Sequence, residues 1–160
     1  MNIFDRYTYD VLKAFTTASV EFIVVGGYAV NFHGFRRTTG DIDLWLKPDN
    51  ENKIKIISAF RSLKIKESVL QQLSEMDFTK HLVFRDGEPP FKIDFMTYVS
   101  GVNFDEAYKE RITTELDGLS IPFIHINHLV LSKFNTGRPQ DAIDIEQLQK
   151  IQSLKNPKRQ

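Results

Sequence analysis

Four consecutive apolar residues, Phe22-Ile-Val-Val25, stop at Gly26-Gly27, and that junction constrains the chain more than any other stretch. A run this short reads as a buried strand closed by a tight turn. Such runs are far too short to span a bilayer, so no membrane-crossing helix is expected. Tyr28 to Phe32 reads as a short helix, with Gly34 suited to its left-handed cap. Strand, glycine turn and helix in immediate succession point to a mixed α/β unit.

The rest of the chain can support such a unit. It has 160 residues, 41% of them hydrophobic, and 13 Phe lead its aromatic content, so a sizeable core is available and an ordered chain is expected. Lys+Arg and Asp+Glu both number 21, and the halves divided at residue 80 are equally balanced. No bulk basic field exists to hold nucleic acid, so any polynucleotide contact must come from a local patch. The absence of cysteine rules out disulfide scaffolds, thiolate zinc sites and cysteine nucleophiles. The N-terminal stretch MNIFDRYTYDVLKAF carries acids and no signal-type apolar run, so the cytoplasm is the expected location.

Apolar spacing predicts a helix over 4–18 and a strand over 41–46, halted by Pro48. Asp49 or Asn50 can cap the next helix, whose expected buried stripe is Ile54, Ile57, Phe60 and Leu63. A second short helix is expected over 67–75. Strands over 81–85 and 91–99 form an expected hairpin across Asp86-Gly87 and Pro89-Pro90. A helix over 103–111 follows, then a last strand over 119–126 and helices over 127–135 and 139–154. The tail Asn156-Pro-Lys-Arg-Gln160 reads as frayed. The expectation is one domain over 1–160, with a core of about 1–101 and a C-terminal strand and helices over about 102–155.

Chemistry concentrates in Arg37-Thr-Thr-Gly-Asp41-Ile-Asp43. Residues two apart on a strand share a face and lie about 6.6–6.8 Å apart. Asp41 and Asp43 therefore project together, and two such carboxylates can converge on a Mg²⁺ pair about 3.5–4 Å apart. Alone, the pair reads equally as a solvated strand face. Gly26-Gly27 adds exposed backbone N–H groups at a helix start, suited to phosphate oxygens, although a glycine pair also serves any tight turn. A third acid, Asp94 in Lys92-Ile-Asp-Phe-Met96, sits in an apolar strand where it needs compensation from a cation or from solvent. His33 reads as a helix cap, His125 and His128 as surface and packing residues, Thr39 as a turn hydroxyl and Trp45 as core.

Taken together, Gly-Gly, a short helix, Arg-x-Thr-x-Asp-Ile-Asp-Leu and a later strand Asp resemble the DNA polymerase β-type nucleotidyltransferase superfamily. The likeness is greatest to small prokaryotic abortive-infection and minimal-nucleotidyltransferase proteins. It extends to Lys133, Arg138, Asp141 and Asp144, a Lys-x4-Arg-x2-Asp-x2-Asp series. The resemblance implies a mixed-sheet fold with a helical C-terminal section and transfer of a nucleoside monophosphate from a nucleoside triphosphate to an acceptor hydroxyl. That acceptor is RNA such as tRNA, a protein or a small molecule, within a toxin–antitoxin or phage-defence setting. It further implies that Asp41 and Asp43 ligate two Mg²⁺ ions, for which Mn²⁺ can substitute. Asp94 joins them and helps deprotonate the acceptor. Gly26 and Gly27 hold the β- and γ-phosphates, and Lys133, at a helix start, neutralises the triphosphate. Many such proteins have Gly-Ser where this chain has Gly26-Gly27, which implies a weaker triphosphate grip. Arg37 either supports its loop or contacts phosphate. Asp141 and Asp144 either position Lys133 and Arg138 or serve the dipole of their helix. The competing reading is a non-catalytic, antitoxin-like protein that keeps the fold.

Overall fold

The computed structural model describes residues 4–155; the tail expected to fray at 156–160 lies outside them. Helix α1 (Arg6–Thr17) starts where the Asp5 side chain accepts the Thr8 N–H. Strand β1 (Phe22–Val25) runs directly into α2 (Gly26–Phe32), as the glycine junction requires. Strand β2 (Ile42–Leu46) leads to α3 (Asn50–Ser62), capped by Asp49, and to α4 (Glu67–Glu75). The hairpin β3 (Val83–Glu88) and β4 (Phe91–Met96) precedes α5 (Phe104–Lys109). A second hairpin, β5 (Ile112–Leu116) and β6 (Leu119–Phe123), leads to α6 (Ile126–Lys133) and α7 (Pro139–Lys155).

The six strands of the described residues join one mixed sheet in the order β3-β4-β2-β1-β6-β5. β2 and β4 run parallel, as do β1 and β6, while β1 and β2 are antiparallel. The C-terminal section is therefore no appendage, since it supplies two of the strands and lays β6 beside β1. One face is covered by α1 and α3, where Phe15 meets Phe22, Phe60 and Phe95 at ring distances of 5.6–5.9 Å. On the other face, Trp45 packs edge-on against Phe104 of α5 at 5.2 Å. This is the core role expected of Trp45. No helix of the described residues is long and apolar enough to cross a membrane.

Three expectations need correction. In α3 the inward stripe is Ile56, Ala59 and Phe60, while Ile54 is 66% exposed. The helical phase is set by Asn52, a buried polar residue. Its amide bridges the backbone N–H and C=O of Glu21, each at 2.9 Å. The first hairpin turns at Pro89-Pro90 alone: Asp86 and Gly87 remain in β3, paired with Ile93 and Lys92. Strand β5 was not expected, because Ile112-Thr-Thr-Glu-Leu116 is an edge strand with no buried residue. Its turn, Asp117-Gly118, has both residues at positive φ, as a tight hairpin prefers.

The Phe15 cluster should carry a large share of the stability. Phe15→Ala is expected to cost about 3–5 kcal/mol in urea unfolding. Ile54→Ala should stay within about 0.5 kcal/mol. Equal losses at the two positions would refute this account of the core.

Candidate active site

Register fixes the site. Val25, Asp43, Asp94 and Arg85 stand side by side across β1, β2, β4 and β3. Residues paired in register share a face, so the two aspartates and the arginine form a row. Asp41, two residues before Asp43, projects from the same side. The three aspartates, Gly26, Gly27 and Lys133 line an open cleft of about 290 Å³. The larger neighbouring cavity, about 550 Å³, is walled by aromatics such as Tyr28 and Phe32 and shares only Arg37 and Thr39 with it.

Both glycines are required by what faces them. Gly26 has φ +67°, and a β-carbon there would fall 2.0 Å from Asp43 Oδ2. At Gly27 the obstacle is Thr39: a β-carbon would lie 2.0 Å from its Oγ1 and 2.8 Å from its Cβ. The departure from Gly-Ser thus has a steric cause. Thr39 fills the space that a serine side chain at 27 would enter.

The acidic row carries more negative charge than it can hold ionised. Burial, then the charges of Asp94 and Asp41, push the Asp43 carboxyl up to about 7, against a smaller opposing pull from Lys133. Hard carboxylate oxygens from adjacent strands are the donor set that Mg²⁺ or Mn²⁺ takes, and a divalent cation would relieve this excess. As they stand, no three His, Asp or Glu side chains among the described residues are poised to hold a metal ion. Both Asp94 oxygens are turned to Arg85, with Nε to Oδ1 at 2.5 Å and Nη2 to Oδ2 at 3.3 Å. Arg85 Nη2 also lies 3.8 Å from Asp41 Oδ2.

Lys133 corrects a further expectation. It ends α6 rather than starting a helix, and at 7% exposure it is buried. Its Nζ contacts Asp141 at 3.1 Å and Asp144 at 2.9 Å. Asp144, fully buried, also receives a two-pronged Arg37 guanidinium, both bonds 2.8 Å, across 107 residues of sequence. Asp141 accepts from Thr136 and from Arg138 Nε, each at 2.8 Å. Burial works to raise both carboxyls, yet these hydrogen bonds and the Lys133 charge prevail and hold them below the ordinary carboxylate range. Arg37 also donates to the Thr38 carbonyl, so its guanidinium braces the loop as well as Asp144.

His33 and His125 have structural employment. His33 ends α2, and its ring Nε2 is 2.7 Å from the Ile124 carbonyl oxygen. His125 caps α6, its Nδ1 accepting the Asn127 N–H. Arg85 is the site residue that sequence reasoning missed. Its signal, a charge alternating with Phe84 in β3, becomes meaningful only once the register sets it opposite Asp94.

Residues 8–158 match the model of a family described as "Nucleotidyltransferase of unknown function (DUF6036)". No curated protein matches the sequence. Among solved structures, the crystal structure of lincosamide antibiotic adenylyltransferase LnuA, lincomycin-bound, is similar at 17% identity. That likeness covers 94% of this chain and 99% of the other, with a TM-score of 0.49.

Two outcomes follow from the charges. Lys133→Ala removes a buried cation shared by two carboxylates, each of which keeps an arginine, and should cost about 1.5–3 kcal/mol of stability. Arg138→Ala, at a side chain 73% exposed, should cost less than about 1 kcal/mol. Thermal unfolding that ranks them the other way would refute the network. The second outcome concerns pH in cation-free buffer. Between the unfolded carboxylate value of 3.8 and about 7, folded Asp43 keeps a proton that the unfolded chain has lost. Its contribution to stability therefore falls as pH rises through that window, then levels. The melting temperature of wild type minus that of Asp43→Asn should decline from pH 4.5 to 8; a constant difference would contradict the assignment.

Proposed function

The chain belongs to this nucleotidyltransferase family, and from that premise we propose that it transfers a nucleoside monophosphate to an acceptor hydroxyl in a divalent-cation-dependent reaction. The observation that carries the reading is the in-register row of Asp43 and Asp94, with Asp41 beside it and Gly26-Gly27 at its end. Asp41, Asp43 and Asp94 are assigned as ligands of two Mg²⁺ ions, with Mn²⁺ a substitute. Bound there, the ions supply charge neutralisation at the phosphates and acidify the acceptor hydroxyl.

The chain's own groups do the rest. Backbone N–H groups of Gly26 and Gly27 donate to the β- and γ-phosphates. The acceptor oxygen attacks the α-phosphorus, its proton passes to Asp94, and the bond to the bridging oxygen breaks to release pyrophosphate. Two of the three Lys133 N–H donors are engaged by Asp141 and Asp144, leaving the third for the triphosphate. Arg37, Arg138, Asp141 and Asp144 act through Lys133 and the 36–40 loop as positioning residues. In-line placement of acceptor and phosphorus supplies much of the acceleration. The acceptor is RNA, a protein hydroxyl or a small molecule, and the proposed setting is a toxin–antitoxin or phage-defence pair.

A second reading, nucleotide binding without turnover, draws on the hold of Arg85 on Asp94. One experiment separates the two. Each α-labelled nucleoside triphosphate is incubated with Mg²⁺, a cell lysate and either wild type, Asp41→Asn or Asp43→Asn. Catalysis predicts a labelled macromolecule or small product with wild type alone. Label independent of both aspartates would overturn the site assignment. A nucleotide-induced rise in melting temperature with no labelled product would support the second reading.

A further inference from the structure

We infer that Arg85 is the built-in counter-cation of the acidic row, seated on Asp94 and Asp41 in the cation-free protein and giving way when a divalent cation binds. This rests on the reading of the three aspartates as metal ligands. β3 is an edge strand, and its alternation sends successive side chains to opposite faces. Asp86 takes a short hydrogen bond from the Tyr7 hydroxyl on the α1 side, which fixes Arg85 on the acidic side. There the guanidinium engages both oxygens of Asp94 and reaches to Asp41.

The fork takes a lone pair on each Asp94 oxygen and sets a positive charge against the carboxylate that would hold an ion. Its removal is easy, because the Arg85 side chain is 55% exposed whereas that of Asp94 is 16% exposed. The guanidinium thus lies on the solvent side of the carboxylates, on a stem able to swing outward. Lys133, the other cation near the row, has two of its three donors on Asp141 and Asp144, and its pull on Asp43 is smaller than the opposing push of the acids. Once displaced, Arg85 is left at the mouth of the cleft as an unpaired cation, placed to meet the phosphates of an arriving nucleotide. Metal and nucleotide would then favour one another's binding, since each relieves what the other leaves unpaired.

Mn²⁺ titration without nucleotide, read by loss of the free-ion paramagnetic resonance signal, tests the idea. Wild type, Arg85→Gln, Arg85→Lys and the control Arg61→Gln are compared, Arg61 pairing with Glu67 in an exposed bridge between α3 and α4. Arg85→Gln should tighten Mn²⁺ binding about two- to fivefold, the scale of a lost exposed ion pair. Arg85→Lys keeps the charge and loses the fork, so it should fall between Gln and wild type. Arg61→Gln should match wild type. With Mn²⁺ saturating, Arg85→Gln should bind a nonhydrolysable nucleoside triphosphate more weakly than wild type. Measurable Mn²⁺ binding that is the same in wild type and Arg85→Gln overturns the counter-cation. Arg85→Lys equal to wild type, with Arg85→Gln tighter, supports the counter-cation and assigns its effect to charge alone. If no variant binds Mn²⁺, the metal-ligand reading falls and the inference falls with it.

Discussion

Asp144 is a carboxylate with no exposure to solvent, and three side chains converge on it: Arg37, Lys133 and Gln140. A buried charge of this kind is tolerable only when its partners are fixed, and each partner comes from a different part of the chain. Arg37 belongs to the loop ahead of β2, Lys133 to the end of α6, and Gln140 to the first turn of α7. Satisfying Asp144 therefore ties the two C-terminal helices to the loop that leads into Asp41 and Asp43. The neighbouring carboxylate Asp141 extends the same network to Thr136 and Arg138. The placement of the acidic cleft, including the closeness of Thr39 to Gly27, follows from this anchoring.

Two kinds of electrostatics thus lie close together. Under the cleft, Asp141 and Asp144 are matched by cations and sit below the usual carboxylate range. In the cleft, Asp43 is unmatched and sits well above it. A protein assembled only for stability would have little reason to keep the second arrangement, whereas a site that must attract and then hold positive charge depends on it.

The parts legible in the sequence are those whose signal is local. The β1–α2 junction is announced by four apolar residues and two glycines, and α4 occupies the expected range, 67–75. The same-side projection of Asp41 and Asp43 follows from strand alternation. What escaped depends on partners distant in the chain. Strand β5 has no inward apolar residue to reveal it and exists by pairing with β6. The phase of α3 was hidden because an asparagine, not an apolar residue, occupies an inward position. The burial of Lys133 escaped because Asp141 and Asp144 read either as positioning it and Arg138 or as serving the dipole of their helix, and neither reading requires the lysine to be enclosed. Arg85 gained meaning only from a register that joins three strands.

The fit of Thr39 over Gly27 has an evolutionary consequence. Neither residue is free to drift alone: a side chain gained at 27 needs the volume now held by residue 39, twelve positions away across a helix and a loop. Related chains should accordingly divide into two lineages at these positions. In one, the turn is bare and the loop residue overhangs it; in the other, the turn bears a hydroxyl and the loop residue is trimmed back. A chain carrying both bulky options would have to displace the loop that Arg37 and Asp144 hold down. The route between the two lineages would therefore pass through an intermediate with both positions small.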